Sequence, residues 1–368
     1  MWRLSVLAWA ASVVLGCDAG YRIWIPRSES ADPLFRFIKH GKAGYIDATG
    51  RVVIPPTLPE NVATGEFHDG LMEVAVFDGE YVDRTGRLVI KKDLYRGWDF
   101  SEGLAVAMRN GEKLWGYINT KGDFAISPRF ESSLNDYVYP FSDGLAMIKV
   151  HGKFGYIDHT GAFAIPPRFP DGTSFSDGMA RVVMEGPCVY FPDGACGAFN
   201  PVFVGGKQGT KPPPCKFSYI DKTGRVITEQ RFDFARDFSE GLAPVKIGAL
   251  WGFVDKNGKV VIAPRFEDAQ PFSSGLSRVR IGGLYGYVDR SGSVVVAPRH
   301  KYAEGFSEEF AVVGDLGGTY WYIDKEGRRK IPGEYDAASP FFKGLAHVRF
   351  MSGGEAYIDS SGRIVFRY

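Results

Sequence analysis

Cysteine is scarce, at 4 residues in 368. Four cysteines cannot replace a hydrophobic core with a disulfide framework in a chain of this size. Three of them, Cys188, Cys196 and Cys215, crowd into residues 185–215. Charge of one sign is missing too: 44 Lys and Arg against 43 Asp and Glu leave +1. No global field then draws in nucleic acid or an anionic membrane, and nucleic acid is not expected as a partner. The six histidines, His40, His68, His151, His159, His300 and His347, show no metal-ligand spacing and no link to a Ser, a Cys or an acid pair. No metal and no cofactor are expected. Helical periodicity is absent, so no Gly-rich loop opens a helix to cradle a phosphate. The acids that might pair for glycoside hydrolysis sit in repeated turns. No catalytic residue emerges and no enzyme is expected.

Against these absences stands one phrase said nine times: aromatic, aliphatic, Asp or Asn, two spacers, Gly. Its polar residues are Asp47, Asp83, Asn119, Asp158, Asp221, Asp255, Asp289, Asp324 and Asp359. The steps between them are 36, 36, 39, 63, 34, 34, 35 and 35 residues. A fixed period in this range marks a repeat array. Glycine is abundant at 46 residues and aromatics make up 14%, which fits short strands joined by Gly turns.

One unit reads physically as three strands. After Phe238-Ser239-Glu240-Gly241, which reads as a turn, Ala243, Val245 and Ile247 alternate as a half-buried strand. Trp251-Gly252-Phe253-Val254-Asp255 is the second strand, and Val260-Val261-Ile262 the third. Asp255 at a turn start can accept backbone N–H bonds, and Gly258 three later takes the left-handed conformation. This is the hairpin with a type I turn and a Gly bulge. Calcium would demand six or more oxygens, whereas each turn offers about one carboxylate, so the acids read as structural. The Phe of the Phe-Ser-acid-Gly-Leu phrase is expected to wedge one unit onto the next. A lone unit of this length cannot bury enough surface.

Arg129, Arg168, Arg231, Arg265 and Arg299 occupy one slot after the third strand in five successive units. Stacked, they could form a ladder that grips an anionic polymer or a partner's acidic edge. The competing reading pairs each with a neighbouring acid such as Glu102, Asp143, Asp177 or Glu240.

Together these residues resemble the WG-repeat family of bacterial proteins. The name-giving pair is Trp115-Gly116 and Trp251-Gly252. Phe154, Phe217, Tyr285 and Tyr320 fill the aromatic slot elsewhere, and Gly155 and Gly286 the glycine slot. Ala43, Gly79 and Glu355 depart from the aromatic, and Trp321 stands where Gly belongs. The resemblance covers residues 33–368 and implies a β-repeat scaffold common in exported or surface proteins, with no shared enzyme activity. The expected fold is all-β: a tandem array of about nine three-stranded β-meander repeats. The alternatives are an open superhelix and a propeller-like ring; three strands per unit favour the open form.

The N-terminus adds a location. Met1-Trp2-Arg3 precedes an apolar stretch from Leu4 to Leu15, too short to span roughly 30 Å of hydrocarbon. It has the form of a secretory signal. Its end, Val14-Leu15-Gly16-Cys17, resembles the bacterial lipobox, which implies lipidation of Cys17. Residues 1–16 are then a lipoprotein signal peptide, 17–32 a tether, and 33–368 the repeat domain. The 63-residue step holds an insertion at 185–215. An oxidising compartment would favour Cys188–Cys215, with Cys188–Cys196 the local alternative and a zinc site a third. The loop reads either as a recognition element or as a stapled hairpin extension.

The expected function is a non-catalytic, lipid-anchored scaffold of the bacterial cell envelope that meets a protein partner. It would face the periplasm from the inner or outer membrane, or stand at the cell surface. A cell-wall or anionic polysaccharide binder is the alternative.

Overall fold

The computed structural model describes residues 33–60, 66–75, 79–91, 94–131, 137–185 and 215–368. Every regular element among them is a β-strand, and every named pairing is antiparallel between neighbours in sequence. The signal peptide, the tether, Cys17, Cys188 and Cys196 lie outside the described residues.

The sixth unit shows the plan. Phe234–Ala235, Leu242–Ile247, Leu250–Asp255 and Val260–Phe266 form one meander, hydrogen-bonded in chain order. The last three strands are those expected from the alternation. The first is a two-residue strand that precedes the Phe-Ser-acid-Gly turn and carries no periodic signal. Sheets of this four-stranded kind also occupy the third, fourth and seventh units. The first and second units show three strands among the described residues, and the fifth shows two. The eighth and ninth merge through the Tyr320–Tyr335 pair into seven strands.

The units share cores rather than owning them. Trp251, Phe253, Ile262 and Phe266 of the sixth unit pack with Ala269, Phe272, Val279 and Val288 of the seventh. The phrase tyrosines Tyr117, Tyr156, Tyr219, Tyr287 and Tyr322 are all fully buried at these joints. Each meets the next unit's Phe edge-on, as Tyr156 meets Phe175 with ring centroids 4.9 Å apart. Such tilted contacts suit the ring quadrupole.

The array closes. Phe35 lies 5.4 Å from Tyr357, and Phe37 lies 4.9 Å from Phe366 and 5.7 Å from Tyr368, by ring centroids. Phe35, Phe37 and Ile46 of the first unit share a core with Leu345 and Tyr357 of the ninth. The open superhelix favoured by a three-strand count therefore gives way to a propeller-like ring. The short first strand makes the difference, because it raises the regular unit to the four-stranded sheet that radial packing uses.

The ring has an inside and an outside. The first strands and their turns converge on a shared cavity, so they are innermost. The last strand of each regular unit is the outer edge. Pro128, Pro167, Pro264 and Pro298 sit on those outer strands. A proline there removes a ladder donor and blunts the exposed edge.

Candidate functional site

The repeated polar residues build joints between units. In the inner Phe-Ser-acid-Gly-Leu turn, the acid and the Gly both take positive φ, as at Glu102 (56°) and Gly103 (80°). Two residues in that conformation make the tight hairpin whose twist suits the flanking strands. The Ser hydroxyl donates to the Phe carbonyl of the next unit: Ser101 to Phe141 at 2.7 Å, Ser142 to Phe175 at 2.7 Å, Ser239 to Phe272 at 2.7 Å. The acid then accepts from the next unit's Gly N–H. Gly103 donates to Asp69 at 2.7 Å, Gly178 to Asp143 at 2.6 Å and Gly344 to Glu308 at 3.1 Å. The acid holds a costly left-handed backbone because its carboxylate is used by the neighbour.

The phrase tyrosines add a third joint. Tyr81 donates to the Trp98 carbonyl, Tyr117 to that of Tyr139, Tyr156 to that of Thr173 and Tyr322 to that of Ser339, each at 2.8 Å. Burial pushes these hydroxyls well above the ordinary tyrosine range, so they remain donors.

The Asp-x-x-Gly turns carry local bonds. Asp47 Oδ1 accepts the N–H and hydroxyl of Thr49, at 2.9 and 2.6 Å, and the N–H of Arg51 at 3.1 Å. The Thr49 hydroxyl is the chief cause holding the Asp47 carboxyl down at about 2. Asp83, Asp158, Asp221, Asp255, Asp289, Asp324 and Asp359 accept the same pair of backbone N–H groups. Among the described residues no group of three His, Cys, Asp or Glu is placed to hold a metal.

The arginine slot acts between units. Nη2 of Arg129, Arg168, Arg265 and Arg299 donates to the carbonyl of Gly161, Gly224, Gly292 and Gly327, the closing glycine of the next unit's Asp turn. Each of the first three guanidinium groups also lies about 5 Å from the ring of the Phe that follows it. Arg231 differs: its Nη1 donates to the nearby Thr228 and Glu229 carbonyls, at 2.9 and 2.8 Å. The acids proposed as arginine partners instead serve the Gly N–H groups.

The glycine slot explains the split. An added Cβ on Gly155 would lie 2.6 Å from both the Ile165 carbonyl and the Pro167 nitrogen, and on Gly286 2.5 Å from the Val296 carbonyl. The outer strand bulges over the bare Cα, between Ile126 and Phe130 in the third unit for example. That bulge aims the arginine at the next unit. The unit with Ser218 in the slot shows isolated bridges there, Ile220–Val226 and Phe217–Phe232, and the unit with Trp321 shows Ile323–Arg329 beside the Tyr320–Tyr335 pair. Arg231, in the unit whose slot holds Ser218 instead of Gly, turns back on its own loop.

Two features break the repeat. The inner turns of four successive units enclose a cavity of about 420 Å³, whose lining includes Tyr139, Thr173, Phe175, Asp237, Phe238 and Phe272. The other lies in the second unit, where His68 replaces the Ser of the Phe-Ser-acid-Gly turn and half-buried Glu73 stands on the strand Leu71–Ala75. Burial, reinforced by the Asp99 carboxylate, lifts the Glu73 carboxyl to about 8. His68 Nδ1 and Glu73 Oε1 are buried without a hydrogen-bond partner among the described residues. Sequence reasoning missed both. The substitution of Ser by His in the phrase was the available signal for the second.

The insertion leaves from Met179–Glu185 and returns at Lys216–Asp221, with Glu185 opposite Lys216. Those feet stand at the end of the sheet opposite the Phe-Ser turns. Cys215 packs beside a core containing Val183 and Phe217. Residues 186–214 lie outside the described residues.

Comparison with known proteins agrees with this architecture. No curated protein matches the chain. Among solved structures it is similar to a eukaryotic initiation factor, with a TM-score of 0.61 and 11% identity over 92% of this chain and 96% of that one. It is also similar to BamB from Moraxella catarrhalis, with a TM-score of 0.39 and 9% identity over 90% and 92%. At 11% identity the likeness to the initiation factor is one of fold. Eight stretches match the family described as WG containing repeat: 44–73, 81–112, 115–154, 154–186, 217–251, 251–285, 285–320 and 322–350. They span most of the chain, and the close approach of the outer strand to Gly116, Gly155, Gly252 and Gly286 gives the motif its physical reason; the chain belongs to the WG containing repeat family.

Proposed function

We propose that this chain is a non-catalytic binding scaffold of the bacterial cell envelope, anchored by lipid on Cys17, that engages a protein partner. One observation carries the reading. The repeated Ser, acid, Tyr and Arg side chains bond to backbone groups of adjoining units, so the repeat yields a rigid ring. Rigid scaffolds place recognition on irregular loops. The largest irregularity here is the insertion between Glu185 and Lys216. The polysaccharide alternative relied on a free arginine ladder. Four of those guanidinium groups already donate across the joints and the fifth to its own loop, which favours a protein partner.

The test is crosslinking and pull-down from envelope fractions with the wild-type chain and a variant lacking residues 186–214. A specific protein recovered by the first and lost by the second supports the reading. Equal recovery, or recovery of glycan alone, overturns it. Cys17→Ser should release the protein from the membrane fraction into the soluble one.

A further inference from the structure

The chain enters the ring at a defined end. Phe35 pairs with Ile46, directly ahead of Asp47, so residues 17–32 join the first unit on the side of the Asp-x-x-Gly turns. The insertion opens from the other end, where Glu185 faces Lys216 while Met179 faces Asp221. Residues 17–32 span at most about 55 Å when extended, so the Asp-turn end is the one nearest to whatever holds Cys17.

That end carries an exposed strip beside the entry point. Arg51-Val52, Arg87-Leu88 and Arg363-Ile364 follow the turns of the first, second and ninth units, which adjoin across the seam. An added Cβ on Gly50 would meet Val365, and one on Gly86 would meet Ile54, so each turn abuts the outer strand of the unit before it. Val52, Leu88 and Ile364 are 44, 39 and 43% exposed, and the side chains of Arg51, Arg87 and Arg363 are 79, 78 and 78% exposed. Nε of each arginine faces the Asp of its own turn, at 3.0, 3.4 and 2.9 Å. Neither terminal nitrogen finds a partner among the described residues. Each Arg–Asp pair is neutral as a whole, so the strip attracts at short range. Two free guanidinium nitrogens match a phosphate, and an aliphatic side chain stands beside them. Phosphate and hydrocarbon lie that close together at a phospholipid interface.

We propose that this strip rests on the phospholipid surface that holds Cys17, with the guanidinium groups at lipid phosphates and the aliphatic side chains at the acyl boundary. The insertion then faces the aqueous compartment, open to a partner. The proposal rests on the lipid-anchor reading, which selects the occupant. Three short side chains give a weak, reversible contact, so Cys17→Ser still releases the chain on fractionation.

The test sediments the mature chain, residues 17–368 with Cys17→Ser, with excess vesicles of phosphatidylcholine containing about a quarter phosphatidylglycerol. A measurable fraction of the chain should pellet. Val52→Ser, Leu88→Ser and Ile364→Ser together should lower that fraction at least fivefold. Arg51→Gln, Arg87→Gln and Arg363→Gln together should lower it at least threefold. Neither set should change Tm much, since all six positions are exposed. Val261→Ser with Val294→Ser, similarly exposed on the sixth and seventh units, is the control and should change nothing. No pelleting, unchanged pelleting in both strip variants, or an equal loss in the control overturns the proposal. So does a strip variant that pellets normally but no longer recovers an envelope protein, which would make the strip a protein interface. Mass spectrometry of Cys17 judges the anchor separately. An unacylated Cys17 removes the anchor reading while the vesicles decide the strip; acylated Cys17 with no vesicle binding leaves the anchor and removes the strip.

Discussion

The hydroxyl of Tyr357, in the last unit, donates to the carbonyl of Arg36, in the first, at 2.6 Å across the seam of the ring. At internal joints Tyr81, Tyr117, Tyr156 and Tyr322 donate to the carbonyls of Trp98, Tyr139, Thr173 and Ser339, each just ahead of the next unit's turn Phe. Here Tyr357 reaches the strand Phe35–Lys39. Tyr357→Phe should remove this closing bond and cost about 1 kcal/mol. Tyr156→Phe, at an internal joint, should cost a similar amount. Denaturant titration measures both, and limited proteolysis separates them: the Tyr357 variant should be cut first near the termini.

Gly155→Ala should be far worse than an average glycine substitution. The new methyl group meets two backbone positions at 2.6 Å, and neither can swing aside. Overpacking of this kind costs about 1–3 kcal/mol. Gly103→Ala offers a contrast, since no atom lies within 4 Å of its Cβ and only the positive φ opposes it. A Gly155 variant as stable as the wild type would refute the bulge argument.

Arg265→Gln should loosen one joint by about 1 kcal/mol, since its bond to the Gly292 carbonyl is lost at a site partly open to solvent. Arg231→Gln should leave the joints intact, because its bonds are confined to one loop. The difference in midpoint between the two variants checks this.

Stability should fall as pH rises from 4.5 to about 8, through Glu73. Its carboxyl titrates at about 8 in the fold, against an ordinary 4.5, because it is buried and faces Asp99. Within that window the folded chain holds a proton that the unfolded chain has released. The Glu73 contribution is therefore complete below 4.5 and is lost as pH climbs through about 8. Glu73→Gln should flatten the profile, as read by urea midpoints across the range.

Exported protein should show one thiol to maleimide before reduction and three after it, once Cys17 is acylated. This follows if two of Cys188, Cys196 and Cys215 pair in an oxidising compartment. Three reactive thiols without reductant would remove the staple.

The unit boundaries and the three longer strands were legible because alternation and turn chemistry repeat with a fixed period. The innermost strand was not, since Phe234–Ala235 spans two residues and no two-residue strand can alternate. Ring closure depends on that strand, which is why the sequence left the propeller-like ring as the less favoured of two forms. The arginine slot was visible as a pattern. Its partners were not, because backbone carbonyls leave no trace in a sequence, whereas acids such as Glu102 advertise themselves. The departures Ser218 and Trp321 stood in plain sight, yet their meaning needed the outer strand's path over a bare Cα. The cavity between the inner turns of four units was not legible either, because it arises only where those turns meet.

Among the described residues, no strand of the first unit enters the sheet of the last. The ends meet as two matched aromatic faces, without interleaving. Gene duplication could then insert or drop a whole module without severing a shared sheet. The number of blades becomes a quantity that selection can tune, limited by how well the terminal faces still fit.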